Sequence, residues 1–152
     1  MMIAITLVGC STNRLPHENK TPAQLDSMLQ SADTTMQAQA AYGLSLHGQT
    51  AAGSVPRLIE LLHSPAPLVR QHSALALGSI GKEAHSVVPE LKTLLLDDDW
   101  AVRRQAALAL GEFKDSAKSA LPALDKLKSD PNSLVRKAAL ESARKIKNDS
   151  KQ

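Results

Sequence analysis

The sequence has very few aromatic side chains, with one Trp, one Tyr and one Phe in 152 residues. Aromatic and β-branched residues favour strands, and valine and isoleucine together contribute only 12 residues. The same scarcity leaves no platform for stacking nucleic-acid bases, and the formal charge of +3 is modest, so no nucleic-acid partner is expected. Alanine (22) and leucine (23) are abundant instead, and their unbranched side chains favour helices. The composition therefore predicts an all-α protein.

Cysteine is also scarce, since Cys10 is the only one in the chain. A single cysteine excludes an intramolecular disulfide and a metal site built from cysteine alone. The residues before it, MMIAITLVG, are apolar and uncharged but too few to span a bilayer as a helix. Such a segment is typical of the apolar region of a secretory signal. The thiol thus lies between an apolar leader and the polar stretch STNRLPHENKTP.

The letters LVGC at positions 7–10 resemble the lipobox of bacterial lipoproteins. In that family the cysteine thiol is acylated with diacylglycerol and the chain is cut just before it. The resemblance implies a signal peptide over 1–9, lipid attachment at Cys10 and a flexible tether over 10–21. It also implies a place in the bacterial cell envelope, on the periplasmic face of the outer membrane because Ser rather than Asp follows the cysteine. The alternative is an ordinary N-terminus with a chance cysteine.

A period of 33 residues runs through the chain from residue 35 onward. The segment LVRQHSALALGSIGKEAHSVVPELKTLLLDDD (68–99) aligns with AVRRQAALALGEFKDSAKSALPALDKLKSDPN (101–132). Anchor residues recur at steps of 33, namely Val69, Val102 and Val135; Arg70, Arg103 and Arg136; Pro56, Pro89 and Pro122; Leu58, Leu91 and Leu124; and Leu61, Leu94 and Leu127. A period of this length predicts a solenoid of stacked helix pairs.

Each unit carries the pattern of two helices. The first helix has an apolar stripe at helical spacing, made of Val102, Ala106, Ala109, Leu110 and Phe113 in one unit. Asp99 or Asn132 is expected as its N-cap, and Ser86 or Ser119 as the N-cap of the second helix. Three full units, a half unit at 22–31 and another at 134–146 give a repeat domain over 22–147. Residues 148–152 are expected to be disordered.

The phrases VRRQAALALGEF and ALPALDKLKSDP resemble the short HEAT-like repeats first named from phycobilin lyases. The resemblance covers about residues 22–147 and implies a right-handed superhelix of helix pairs whose second helices line a concave face. In HEAT proteins the repeated arginine commonly pairs with an aspartate from a neighbouring interhelical turn. Here the resemblance assigns those roles to Arg70, Arg103 and Arg136 and to Asp97 and Asp130, whereas the first unit has Gln37.

The last half unit replaces apolar or small residues with polar ones. Glu141 stands in the column of Leu75 and Leu108, Arg144 in the column of Gly78 and Gly111, and Lys128 in the column of Leu62 and Leu95. Terminal repeats need a polar outer face to stay soluble. We therefore expect residues 128–147 to form a cap and the protein to be monomeric.

The sequence offers no arrangement that would support catalysis. The five histidines lack metal-ligand spacing, and the His-Glu pair at 17–18 lies outside the repeats. The deoxyhypusine hydroxylases, HEAT-repeat di-iron enzymes, have His-Glu pairs within the repeats, where this chain reads VRQHSALAL and VRRQAALAL. No catalytic residue, metal or cofactor is expected. The predicted function is that of a protein-binding scaffold or adaptor. The alternative is an enzyme or enzyme accessory related to the phycobilin lyases or the deoxyhypusine hydroxylases.

The candidate protein-binding face lies on the second helices. Its columns differ from unit to unit between core columns that hardly vary, so repeat packing does not set them. The candidate residues are Arg57, Ile59, Glu60, Glu90, Lys92, Thr93 and Lys126. Trp100, near a turn between units, is a rival binding residue. The other interpretation of this face is a solvated surface without a partner.

Overall fold

The computed structural model describes residues 15–149, except for the side chain of Asp149. The α-helices of this part are α1 (Pro22–Met28), α2 (Thr34–His47), α3 (Val55–Leu61), α4 (Pro67–Ile80), α5 (Val88–Leu94), α6 (Trp100–Glu112), α7 (Leu121–Lys126) and α8 (Ser133–Asp149). Four 3-10 helices join them, at Gly48–Ser54, Gly81–Val87, Lys114–Ala120 and Leu127–Ser129. The described residues contain no strand, and the predicted all-α solenoid is confirmed.

The helices stack in a regular order. The long helices α2, α4, α6 and α8 pack side by side along the array. Each short helix packs on the long helix that follows it, α1 on α2, α3 on α4, α5 on α6 and α7 on α8. The repeated apolar residues form the core between these layers, since Val69, Val102, Val135, Leu58, Leu91 and Leu124 are all fully buried.

The predicted pairing of arginine with aspartate in the next turn is confirmed. Arg70 donates from Nε and Nη2 to the two carboxylate oxygens of Asp97, both at 2.8 Å. Arg103 donates in the same way to Asp130, at 2.8 and 3.2 Å. In the first unit, Gln37 donates instead to the carbonyl oxygens of its own preceding turn. The arginines thus fasten each turn to the next.

The starts of the short helices differ from the sequence prediction. Neither Ser86 nor Ser119 caps a helix, because a 3-10 helix runs directly into α5 and into α7. The first helical N–H groups therefore find carbonyl partners in the 3-10 turn, as when Val88 donates to His85. By contrast, Asp99 is the N-cap of α6, as predicted, and accepts hydrogen bonds from the N–H groups of Ala101 and Val102.

The glycines near the ends of α4 and α6 allow the long helices to approach closely. A Cβ added at Gly78 would lie 3.0 Å from the Cα of Ala109, and one added at Gly111 would lie 2.7 Å from the Oγ of Ser142. Contacts this short are not tolerated by a fixed side chain. Arg144, in the same column of α8, is exposed.

The residues before α1 contact the repeats. The His17 ring stacks edge-on against Tyr42 with the ring centroids 5.1 Å apart, and His47 Nε2 lies 2.9 Å from the carbonyl oxygen of Lys20. These contacts place 17–20 on α2 rather than in a free tether. The predicted signal peptide, Cys10 and the first part of the tether lie outside the described residues.

Candidate protein-binding surface

The predicted face lies on α3, α5 and α7, which are short helices with a proline in the first turn. A proline in that position loses no helical hydrogen bond, because the first-turn N–H groups have no partner within the helix. One side of each helix is buried through Leu58, Leu91 and Leu124. The columns between these leucines therefore reach the surface.

A groove of about 320 Å³ lies between α5 and α7. It is lined by Lys92, Leu95, Leu96, Ala123, Lys126, Leu127, Ser129 and Asp130. Leu95 and Leu127 belong to the buried core, whereas the Leu96 side chain is 81% exposed. Apolar surface in a concave site, with a few polar groups at its edge, is typical of binding sites. The groove therefore suits an apolar side chain of a partner.

The groove carries an excess of positive charge. Lys92 and Lys126, two of the predicted residues, line it from neighbouring helices. Its one carboxylate, Asp130, is occupied, because it accepts two hydrogen bonds from Arg103. Those hydrogen bonds hold the pKa of Asp130 below its usual value, against the opposing effect of burial. The lysines are thus left to attract a carboxylate on a partner.

Leu96 is exposed because of where α5 ends. The helix stops at Leu94, and the N–H groups of Leu96 and Asp97 donate to the carbonyl oxygens of Thr93 (3.0 Å) and Leu94 (3.2 Å) in a closing turn. That turn carries Leu96 away from the core that receives its neighbours. Three consecutive leucines look alike in the sequence, so this binding residue was missed.

The predicted residues on α3 do not line the groove. Arg57 Nε lies 3.5 Å from a carboxylate oxygen of Asp26, so this arginine links α3 to α1. Ile59 is half-buried against the core. Glu60 is exposed and has no hydrogen bond or ion pair to the other described residues. The structure therefore gives Arg57 and Ile59 packing roles and leaves Glu60 on open surface.

The remaining predicted residues lie outside the groove as well. Thr93 donates its hydroxyl to the carbonyl oxygen of Glu90 at 2.7 Å, within α5 itself. Glu90 is half-buried, and its Oε2 has no hydrogen-bond partner among the described residues. Trp100 begins α6 and is 43% exposed at the turn between units. It stays a separate candidate.

A second groove, of about 460 Å³, runs across α4, α6 and α8 and was not predicted. Leu75 and Leu108 line it together with Arg104, Glu141 and Lys145. The two leucines are half-buried. The expectation that Glu141 replaces a fully buried leucine column is therefore wrong, because this column faces a surface groove in every unit. Lys145 donates to Glu112 at 2.8 Å there.

Two further searches were confined to residues 15–149. No group of three or more His, Cys, Asp or Glu side chains is close enough there to hold a metal ion. None of the helices in the same range has the length and apolar character needed to cross a membrane.

The fold and the surface define a helical-repeat solenoid with an open apolar groove. The chain belongs to the family of HEAT repeats, whose sequence profile matches residues 21–98 and 83–144. No curated protein sequence matches the chain.

Several solved structures share this fold. An engineered protein superposes with a TM-score of 0.72 and 28% identity, over 84% of this chain and 63% of its own. A designed armadillo repeat protein in complex with the peptide (KR)4 gives a TM-score of 0.67 and 23% identity, over 80% and 62%. Human deoxyhypusine hydroxylase in complex with glycerol gives 0.62 and 26%, over 86% and 45%. The chain thus spans less than two thirds of each of these structures.

Proposed function

We propose that this protein is a non-enzymatic scaffold or adaptor that binds another protein through the groove between α5 and α7. A lipid on Cys10 would tether it in the bacterial cell envelope, on the periplasmic face of the outer membrane. The groove is the observation that carries the proposal. It combines apolar surface from Leu95 and Leu127 with an almost fully exposed Leu96.

The chemistry of the groove defines the partner segment. An apolar side chain would cover Leu96, and a carboxylate next to it would meet Lys92 and Lys126. The apolar contact supplies most of the binding energy, and the lysines orient the segment and speed its association. The designed armadillo protein in complex with (KR)4 supports the idea that a solenoid of this kind can hold a peptide. That peptide is basic, whereas the segment proposed here is acidic.

Site-specific photocrosslinking in living cells tests this function. A photoreactive residue at position 96 is expected to form a discrete adduct with one protein, and one at position 46 is not, although Leu46 is also well exposed, on α2. Reversing the charges with Lys92→Glu and Lys126→Glu should weaken the adduct at 96. An adduct from position 100 alone would move the binding site to the turn at Trp100, and adducts from position 46 alone would refute the groove.

The second candidate is an enzyme or an enzyme accessory. It is supported by the likeness to human deoxyhypusine hydroxylase, at 26% identity. Metal analysis of the purified protein separates the two candidates. The scaffold proposal predicts no stoichiometric metal, and one or two bound iron ions per chain would favour the second candidate.

A further inference from the structure

Arg136 differs from the other arginines of its column in what its guanidinium contacts. Its Nη1 donates to the carbonyl oxygens of Asp130 at 2.7 Å and Pro131 at 3.0 Å. In Arg70 and Arg103, Nη1 makes the equivalent contacts while Nε and Nη2 bind a carboxylate. For Arg136, no residue within 15–149 accepts a hydrogen bond from Nε or Nη2.

The free side of Arg136 is fixed in a geometry that suits a carboxylate. Two carbonyl oxygens hold Nη1, so the guanidinium plane cannot turn freely. Its remaining donors form the planar pair that binds the two oxygens of a carboxylate. The bidentate pairs Arg70–Asp97 and Arg103–Asp130 show that this chain uses the same donors for aspartate.

The surface around Arg136 is cationic with an apolar centre. A groove of about 550 Å³ on α8 is lined by Ser133, Arg136, Lys137, Leu140, Glu141, Arg144, Lys145 and Asn148. Leu140 is 41% exposed. The only carboxylate of the groove, Glu141, lies 3.4 Å from Lys145. Arg136, Lys137 and Arg144 therefore have no counter-charge within the groove.

From these contacts we infer that the groove on α8 binds an acidic segment of another protein, with one carboxylate on Nε and Nη2 of Arg136. This surface is separate from the groove between α5 and α7. A helix packed as α6 packs on α4 does not fit, because Arg144 stands where Gly78 and Gly111 permit close approach. A head-to-tail second copy does not fit either. The 33-residue register would place Ser31 opposite Arg136, and a serine cannot balance its charge.

A peptide titration tests the inference. The probe is the acetylated and amidated peptide LLDDDWA, a copy of residues 95–101, which contain the Asp97 that Arg70 binds. The matched control peptide has Asn at the position of Asp97. The full chain, labelled with nitrogen-15, reports binding through the Nε–H NMR signals of its arginines. Arg136→Lys removes the planar pair of donors, and Arg104→Lys is the matched variant on the groove across α4, α6 and α8.

Saturable movement of the Arg136 signal is expected. The Asn peptide and the Arg136→Lys variant should each weaken binding about ten-fold, because a charge-assisted bidentate contact is lost, and Arg104→Lys should have no effect. Equal affinity for the two peptides, or no movement at millimolar peptide, would overturn the inference. Binding of phosphatidylglycerol vesicles without peptide binding would also overturn it and assign the groove to a membrane. Self-association that Arg136→Lys abolishes would assign it to a second copy. If Arg136→Lys does not fold, the comparison of the two peptides on the unmodified chain decides.

Discussion

Arg103 and Asp130 join two successive units across 27 residues of sequence, with Nε to Oδ2 at 2.8 Å and Nη2 to Oδ1 at 3.2 Å. Their side chains are only 14% and 5% exposed. Asp130 also accepts the N–H of Asn132 at 2.8 Å, so its carboxylate closes the turn before α8 as well. One side chain thus shapes a turn and fastens it to the preceding unit.

Replacing this carboxylate should destabilise the solenoid. Asp130→Asn keeps the shape of the side chain but leaves the guanidinium of Arg103 without a counter-charge. We expect a loss of about 3 kcal/mol in the free energy of unfolding, as for other buried pairs that lose one partner. Urea denaturation measures the loss. Asp125→Asn is the control, since Asp125 pairs with Lys128 on the exposed surface and its loss should not be measurable. Equal effects of the two substitutions would show that the buried pair contributes nothing special.

Stability should fall in acid because of these aspartates. Hydrogen bonds from Arg103 lower the pKa of Asp130 against the effect of burial. Burial alone would raise the pKa of Asp97, but the hydrogen bonds from Arg70 and from the N–H of Asp99, with the nearby arginine charges, lower it overall.

A carboxyl group whose pKa is lower in the folded state stabilises the fold fully above its unfolded pKa of about 3.9. That stabilisation is lost as the pH falls through the folded pKa. We therefore expect the free energy of unfolding to decrease below about pH 5. Asp130→Asn should make the decrease shallower in denaturation experiments across this range. An identical pH profile in the variant would show that Asp130 titrates alike in both states.

The close approach of α6 and α8 predicts an unequal response to alanine at two glycines. Gly111→Ala would bring a Cβ to 2.7 Å from Ser142 Oγ, whereas a Cβ at Gly53 meets nothing within 4 Å. We expect Gly111→Ala to lower the free energy of unfolding by about 1 to 3 kcal/mol through overpacking. Gly53→Ala should be neutral or slightly stabilising, because it restricts the unfolded chain. A stable Gly111→Ala variant would mean that α8 can shift away at little cost.

The lipid anchor has its own test. If Cys10 is the lipidated residue, mass spectrometry of the native protein should find an N-terminus at an acylated Cys10. A Cys10→Ser variant should then be released from the membrane fraction. An intact Met1, or a variant that stays equally membrane-bound, would remove the anchor from the proposal and leave the groove between α5 and α7 unaffected.

The repeat and its core could be predicted from the sequence because the same side chains recur every 33 residues. Val69, Val102 and Val135 are buried as expected, and the pairs made by Arg70 and Arg103 are those that the HEAT resemblance implied. These features depend on spacing alone, and spacing is what a single sequence records.

The binding surface could be predicted only in part, since it depends on how helices end. Lys92 and Lys126 were found because they vary between units, and the structure brings them to one groove. Leu96 was not found, because its exposure results from the turn that closes α5. Arg57 was assigned to the face, but it contacts Asp26 on α1, a partner that no motif announces. The 3-10 helices before α5 and α7 also lack a sequence signal.

The groove between α5 and α7 can be tested by one affinity measurement. Once the protein that crosslinks to position 96 is identified, its dissociation constant should be measured against the unmodified chain, Leu96→Ser and Leu46→Ser. Both leucines are exposed, at 81% and 66%, so neither substitution should disturb the fold. Leu96→Ser should weaken binding by about ten-fold or more, as the loss of a central apolar contact does, and Leu46→Ser should leave it unchanged. Unaltered affinity in Leu96→Ser, or a loss confined to Leu46→Ser, would show that the partner binds elsewhere.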